Sequence, residues 1–121
     1  MNVATGGPAG DGDAYLQITS VSGNGPGTRL VVFNSTQWAG DYMAAGITAI
    51  SMDVDNLGAT DLELRLSIAT QTSAAPTDRA VSSVAIPLLA GSGWTTVQFP
   101  IDPGDLTALA GSVANALAGA S

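Results

Sequence analysis

The sequence predicts an all-β protein: an antiparallel β-sandwich, jelly-roll-like, with a short C-terminal helical segment. Three observations lead there. Short stretches of alternating apolar and polar residues recur along the chain, each about a strand in length. Clusters of glycine, proline, asparagine and aspartate punctuate them. Of the 121 residues 45% are apolar and only 11% charged, against about 25% charged in ordinary domains, so serine, threonine, asparagine and glycine must cover the surface. A chain of this length makes one domain, 1–121, able to build a core without disulfide staples.

Residues 1–13 read as an N-terminal loop, because Gly6-Gly7-Pro8-Ala9-Gly10-Asp11-Gly12-Asp13 holds turn-forming residues almost throughout. Residues 15–21 alternate, placing Leu16 and Ile18 on one face and Tyr15, Gln17 and Thr19 on the other. A turn follows at 22–27, and 29–33 is a nearly continuous apolar run, as in a strand buried on both faces. Residues 34–46 break the pattern; Trp38, Tyr42 and Met43 fit a short helical turn that Gly46 ends in a left-handed conformation. Residues 47–55 make the clearest strand, with Ile50, Met52 and Val54 inward and Ser51, Asp53 and Asp55 outward. After a turn at 56–61, residues 62–68 point Leu62, Leu64, Leu66 and Ile68 inward and Glu63, Arg65 and Ser67 outward. The two strands are expected to pair as an antiparallel hairpin with one wet face. A polar loop at 70–79 leads to a second expected pair, 81–88 with 94–101, joined through Ala90-Gly91-Ser92-Gly93. The tail, 102–121, changes period: Asp102 suits a helix cap, Pro103 the first helical position, and Leu106, Leu109, Val113 and Leu117 recur at roughly helical spacing. The core expected from these faces contains Leu16, Ile18, Leu30, Val32, Ile50, Met52, Val54, Leu64, Leu66, Val97 and Phe99.

Composition narrows function. The chain has no histidine, cysteine or lysine, the residues most used as bases, nucleophiles, Schiff-base amines and zinc ligands. Nine aspartates and one glutamate face three arginines, for a net charge of −7. That balance argues against nucleic acid, since no basic cluster displaces counterions, and against an anionic membrane surface. No apolar run approaches the ~20 residues of a membrane span. Residues 1–5 carry neither the basic nor the apolar region of a signal peptide.

Several groups have chemistry worth weighing. Asp53, Asp55, Glu63 and Arg65 fall on outward faces, and paired carboxylates are the residue type that glycoside hydrolysis uses. A wet face with an arginine nearby does not raise a carboxyl pKa as that reaction needs, and a cross-strand salt bridge accounts for them. A serine nucleophile has no histidine or lysine base to support it. Asn34-Ser35-Thr36 fits the N-glycosylation pattern, which matters only in a eukaryotic secretory pathway. Tyr15, Trp38, Tyr42 and Trp94 are candidates for stacking on sugar rings, with Gln17 beside Tyr15 on a polar face; the competing reading has these aromatics closing the core. The sequence therefore predicts no catalytic residues and no hydrolase activity.

A series of stretches also resembles a known family. It runs from Gly6-Gly7-Pro8 and Gly12-Asp13-Ala14-Tyr15-Leu16 through Arg29-Leu30-Val31-Val32-Phe33-Asn34 to Gln37-Trp38-Ala39-Gly40-Asp41-Tyr42. It continues with Ala45-Gly46-Ile47, Met52-Asp53-Val54, Asp61-Leu62, Leu64-Arg65-Leu66 and Gly93-Trp94. These resemble secreted bacterial domains of the galactose-binding-like, carbohydrate-binding-module-like jelly-roll class. The resemblance implies an extracellular or cell-surface location and a polysaccharide partner. It also implies a structural Ca2+ near the early loop, where Asp11 and Asp13 are the candidate ligands and backbone carbonyls complete the shell; a solvated turn is the plainer reading of Asp11-Gly12-Asp13. In that class a strand precedes the Gly-Gly-Pro loop and one or two follow the last helical segment, so both flanks are expected to be missing here. Edges bared in this way, with no lysine to guard them, predict a homo-oligomer paired through edge strands. The expectation is a non-catalytic extracellular carbohydrate-binding module, with a structural or self-assembling β-sandwich subunit as the alternative.

Overall fold

The computed structural model describes residues 1–21, 30–70 and 76–121. Among the described residues strands dominate, in several small antiparallel sheets that do not close, with one short helix. The chain divides into two compact units, Met1–Phe33 and Asn34–Ser121.

In the first unit, β1 (Asn2–Val3) pairs antiparallel with β2 (Tyr15–Leu16), setting Asn2 opposite Leu16 and Val3 opposite Tyr15. The amino terminus donates to Gln17 O at 2.8 Å, and Gln17 N donates back to Met1 O at 2.8 Å. Between the strands the glycine-rich loop closes on itself: Gly7 N donates to Asp13 O at 2.9 Å and Asp13 N to Gly10 O at 3.1 Å. The expected strand over 15–21 is thus confined to two residues, and its faces are reversed. Leu16 and Ile18 are 54% and 45% exposed, while Tyr15 and Gln17 are half-buried. The reason is local: Tyr15 turns its ring over the loop, where a Cβ on Gly6 would stand 3.9 Å from Tyr15 Cε1. The expected buried strand at 29–33 is not formed either. Leu30, Val31 and Val32 are exposed, Phe33 is 89% exposed, and Leu30–Phe33 has no ladder partner among the described residues. The predicted turn at 22–27 and Arg29 lie outside the described residues, as does the 71–75 part of the expected polar loop.

The second unit holds three small sheets. β3 (Ala49–Val54) pairs antiparallel with β8 (Thr95–Pro100), and β4 (Leu62–Leu64) with β7 (Ile86–Leu88). β5 (Ser67–Ala69), β6 (Arg79–Ser82) and β9 (Leu106–Ala110) form a sheet with β6 in the centre. The 47–55 and 62–68 strands therefore do not pair as a hairpin, nor do 81–88 and 94–101. The cause is a polar staple. Asn56 is buried; its Nδ2 donates to Thr60 O at 2.8 Å and to Leu88 O at 3.1 Å, and its backbone N–H donates to Ser92 Oγ at 3.1 Å. Asp61 Oδ1 accepts from Ala90 N at 2.8 Å. The turn after β3 is thereby bound to the turn before β8, and each strand takes its partner from across the two turns. A buried amide with this many partners recovers its desolvation cost.

Inward and outward sides match expectation along 62–68: Leu62, Leu64 and Leu66 are half-buried, Ile68 buried, and Glu63, Arg65 and Ser67 exposed. The expected salt-bridge face is not assembled, because β3 and β4 are not neighbours. Asp53 Oδ1 accepts from the Thr96 hydroxyl at 2.5 Å, and Arg65 Nη1 donates to the carbonyls of Ser82 at 2.6 Å and Ser83 at 3.2 Å.

The tail also departs from expectation. Pro103–Asp105 is one 3-10 turn with Pro103 in its first turn and no side-chain bond from Asp102. The next five residues extend as β9, and only α1 (Val113–Ala118) is helical. Gly111 decides the break: it stands at φ +57°, and a Cβ there would lie 2.0 Å from Asp78 Oδ1. Asp78 Oδ1 instead accepts from Ser112 N at 3.0 Å, and Ser112 Oγ caps α1 by accepting from Asn115 N at 3.1 Å. The core gathers Ile68, Ala80, Ile101, Leu106, Ala116, Leu117 and Ala120, with Tyr42, Ile50, Leu66 and Val113 packed against it. Of the expected core, Val97 and Phe99 are buried, Ile50, Met52, Val54, Leu64 and Leu66 are half-buried, and Leu16, Ile18, Leu30 and Val32 are exposed.

Candidate functional site

The candidate site grows from one side chain, Asn34. Its Oδ1 accepts the backbone N–H groups of Thr36, Gln37 and Trp38 at 3.4, 3.0 and 3.3 Å, and its Nδ2 donates to Gln37 Oε1 at 3.1 Å. An asparagine that satisfies successive amides in this way bends the chain without any regular element. Downstream, Asp41 Oδ1 accepts from Ala44 N at 2.9 Å and Ala45 N donates to Asp41 O at 3.1 Å, a helical turn that ends at Gly46, φ +68°, as the sequence predicts.

This segment is fastened to the core from below. Gly40 N donates to Ala120 O at 2.8 Å, and Tyr42 N donates to Leu117 O at 2.9 Å. The Tyr42 ring packs against the core cluster, and its hydroxyl donates to the Trp38 carbonyl. Burial pushes the Tyr42 phenol above its ordinary pKa. Trp38 is consequently held at both backbone ends while the residue as a whole is 43% exposed.

Trp38 and Tyr42 border a groove of about 400 Å³, together with Gln37, Ala39, Ile47 and the Ala49–Ser51 stretch of β3. An indole on a bonded stretch of backbone, beside an amide and a hydroxyl, is suited to ring-shaped ligands that offer both an apolar face and polar edges.

The remaining sequence candidates fall elsewhere. Trp94 is half-buried and directly precedes Thr95, which pairs with Val54 at the end of the β3–β8 ribbon opposite the groove. Tyr15 and Gln17 belong to the first unit. Asp11 is exposed and Asp13 half-buried. Asp13 Oδ2 accepts from Ala9 N at 2.8 Å, so this carboxylate already organises its own loop. Among the described residues no three histidine, cysteine or acidic side chains gather as a metal-binding group. Two carboxylates fall short of the six to eight oxygens calcium takes, and loop carbonyls would have to complete any shell.

Sequence reasoning singled out Trp38 and Tyr42 but passed over Asn34, Gln37 and Ser51 as parts of the site. Asn34 was legible only as a glycosylation pattern; the usable signal was an asparagine three and four residues ahead of Gln37-Trp38. Compared with protein-family models, curated proteins and solved structures, the chain matches none.

Proposed function

We propose that the chain is a non-catalytic carbohydrate-binding module of an extracellular or cell-surface protein, its sheets arranged as a jelly-roll-like sandwich and the Trp38 groove its sugar site. The observation that supports this reading is Trp38, whose backbone is held by Asn34 and Tyr42 while the residue lines the groove and stays 43% exposed. Covering the open part of a tryptophan removes roughly 100 Å² from water, worth about 2 kcal/mol or roughly thirtyfold in Kd. The test is binding to a panel of immobilised polysaccharides by the chain and by Trp38→Ala. Binding that weakens at least tenfold in the variant, with an unchanged melting curve, supports the reading; no binding to any member of the panel removes it. In the same reading Asp11 and Asp13, with loop carbonyls, hold a structural calcium.

A second reading, a self-assembling subunit, draws support from a different observation. Leu30–Phe33 is an uncharged, β-prone run that is exposed and without a ladder partner among the described residues. Such a run is a template for a second chain.

A further inference from the structure

We infer that the Trp38 groove selects uncharged glycans over acidic ones and binds them with little dependence on salt. This rests on the carbohydrate reading and adds the ligand class. The groove's polar groups are the Gln37 amide, the Ser51 hydroxyl and the Tyr42 phenol; the rest of its lining is the Trp38 indole and aliphatic side chains. None of them is a cation. With Gln37 Oε1 taken by Asn34 and the Tyr42 hydroxyl donating to the Trp38 carbonyl, Gln37 Nε2 and the Ser51 hydroxyl are the groups that address a ligand. They match sugar hydroxyls, which donate and accept in turn. A carboxylate or sulfate is acceptor-only, and its strong bonds come from arginine or lysine.

Among its described residues the chain brings no such group to the groove. It contains no lysine and three arginines. Arg65 is engaged with the carbonyls of Ser82 and Ser83, and Arg79 Nε donates to Ser67 Oγ; neither lines the groove. Arg29 lies outside the described residues. The carboxylate of Asp41, next to Tyr42 in the chain, is exposed, and the whole chain carries −7. An anionic polymer entering this field is repelled over about 10 Å at 0.1 M salt, whereas a neutral one is unaffected.

The experiment uses the full chain and matched polymers: a panel of neutral glucans, xylans and galactans, and each backbone carrying uronate groups. Binding is measured by calorimetry at 20 and 300 mM NaCl. The expected result is a neutral ligand whose Kd changes less than twofold with salt, and an acidic counterpart at least tenfold weaker at 20 mM. Placing a cation in the groove with Ser51→Arg, on the exposed face of β3, should then tighten the acidic counterpart at least fivefold at low salt. Equal or tighter binding of the acidic polymer by the unmodified chain, weakening with salt, overturns the inference and leaves the carbohydrate reading standing. So does a Ser51→Arg variant, shown by melting to be folded, that leaves acidic-polymer binding unchanged. Failure to bind any polymer of either kind sinks both.

Discussion

Asn34 serves three amides and one side chain with a single carboxamide, and its two halves do separable work. Asn34→Ala removes the acceptor that bends the chain into Trp38, and should cost about 0.5–2 kcal/mol, the range for losing a capping side chain. Asn34→Asp keeps Oδ1 as acceptor but loses the donor to Gln37. It should retain nearly all the stability while weakening glycan binding severalfold, because Gln37 is no longer oriented. Denaturant unfolding and calorimetry on the two variants check both halves; equal destabilisation by Ala and Asp would show that the acceptor bonds to the backbone are not what matters. Tyr42 gives a pH signature at the same spot. Its phenol is pushed above the ordinary 10.0 by burial, so the folded chain holds this proton to higher pH than the unfolded chain does. The associated stability is fully present below about pH 10 and is lost as pH rises through the folded value. In an ultraviolet titration of the folded chain, Tyr42→Phe should remove a component that titrates above the ordinary tyrosine value, and should flatten the fall in stability above pH 10. At this scale the sequence was half legible. Trp38 and Tyr42 stood out by type, but the partner of a single amide depends on how a turn closes, which no periodicity encodes. Parity misplaced Tyr15 for a related reason: it reports the two faces of a strand, and a two-residue ribbon lying over its own loop decides by contact which face is covered.

At the scale of elements, the faces of some alternating stretches were legible, and the pairing of the strands was not. The faces of residues 62–68 follow the pattern side chain by side chain, yet the period of two says nothing about which strand lies alongside. β3 finds β8 because Asn56 and Asp61 bind two distant turns together, a choice made by buried polar groups rather than by apolar spacing. The tail shows the reverse error. Leucines at 106 and 109 keep helical spacing, but Gly111 sets a left-handed corner that only α1 follows, and the five residues before it complete the sheet beside β6. The early loop carries a prediction of its own. If Asp11 and Asp13 hold calcium, a ligand of the folded state stabilises by mass action, so chelator should lower the melting temperature. Asp13→Asn should abolish that difference. Identical melts of the unmodified chain in millimolar calcium and in excess chelator would leave the loop to its own hydrogen bonds, the Asp13–Ala9 bond and the backbone bonds of Gly7 among them.

For the whole molecule, the distribution of apolar surface is the quantity that matters. Among the described residues the fully buried large side chains are Ile101 and Leu117, both late in the sequence, and Leu117 also supplies the carbonyl that anchors Tyr42. Leu117→Ala should cost about 2–5 kcal/mol, and Leu66→Ala, at a half-buried position, clearly less. Equal losses in denaturant unfolding would mean that the sheet side of the core is as tightly packed as the helix side. Against this stands an apolar run that no described strand covers. Leu30, Val31, Val32 and Phe33 carry no charge and include two β-branched residues, the composition that pairs most readily with an unguarded edge. A two-fold antiparallel pairing of this segment with its copy would set Leu30 against Phe33 and Val31 against Val32, so that each chain satisfies the other's backbone and apolar surface with one set of contacts. The self-assembly reading therefore predicts a concentration-dependent dimer by sedimentation velocity between low and high micromolar chain. Val32→Lys puts a buried-interface charge on both sides of the two-fold and should return the chain to monomer with its melting curve unchanged, since Val32 is exposed in the single chain. A chain that stays monomeric throughout that range ends this reading. Dimers that survive Val32→Lys would place the contact on another edge, the sides of the two-stranded β3–β8 and β4–β7 sheets that no strand among the described residues pairs being the ones to test next.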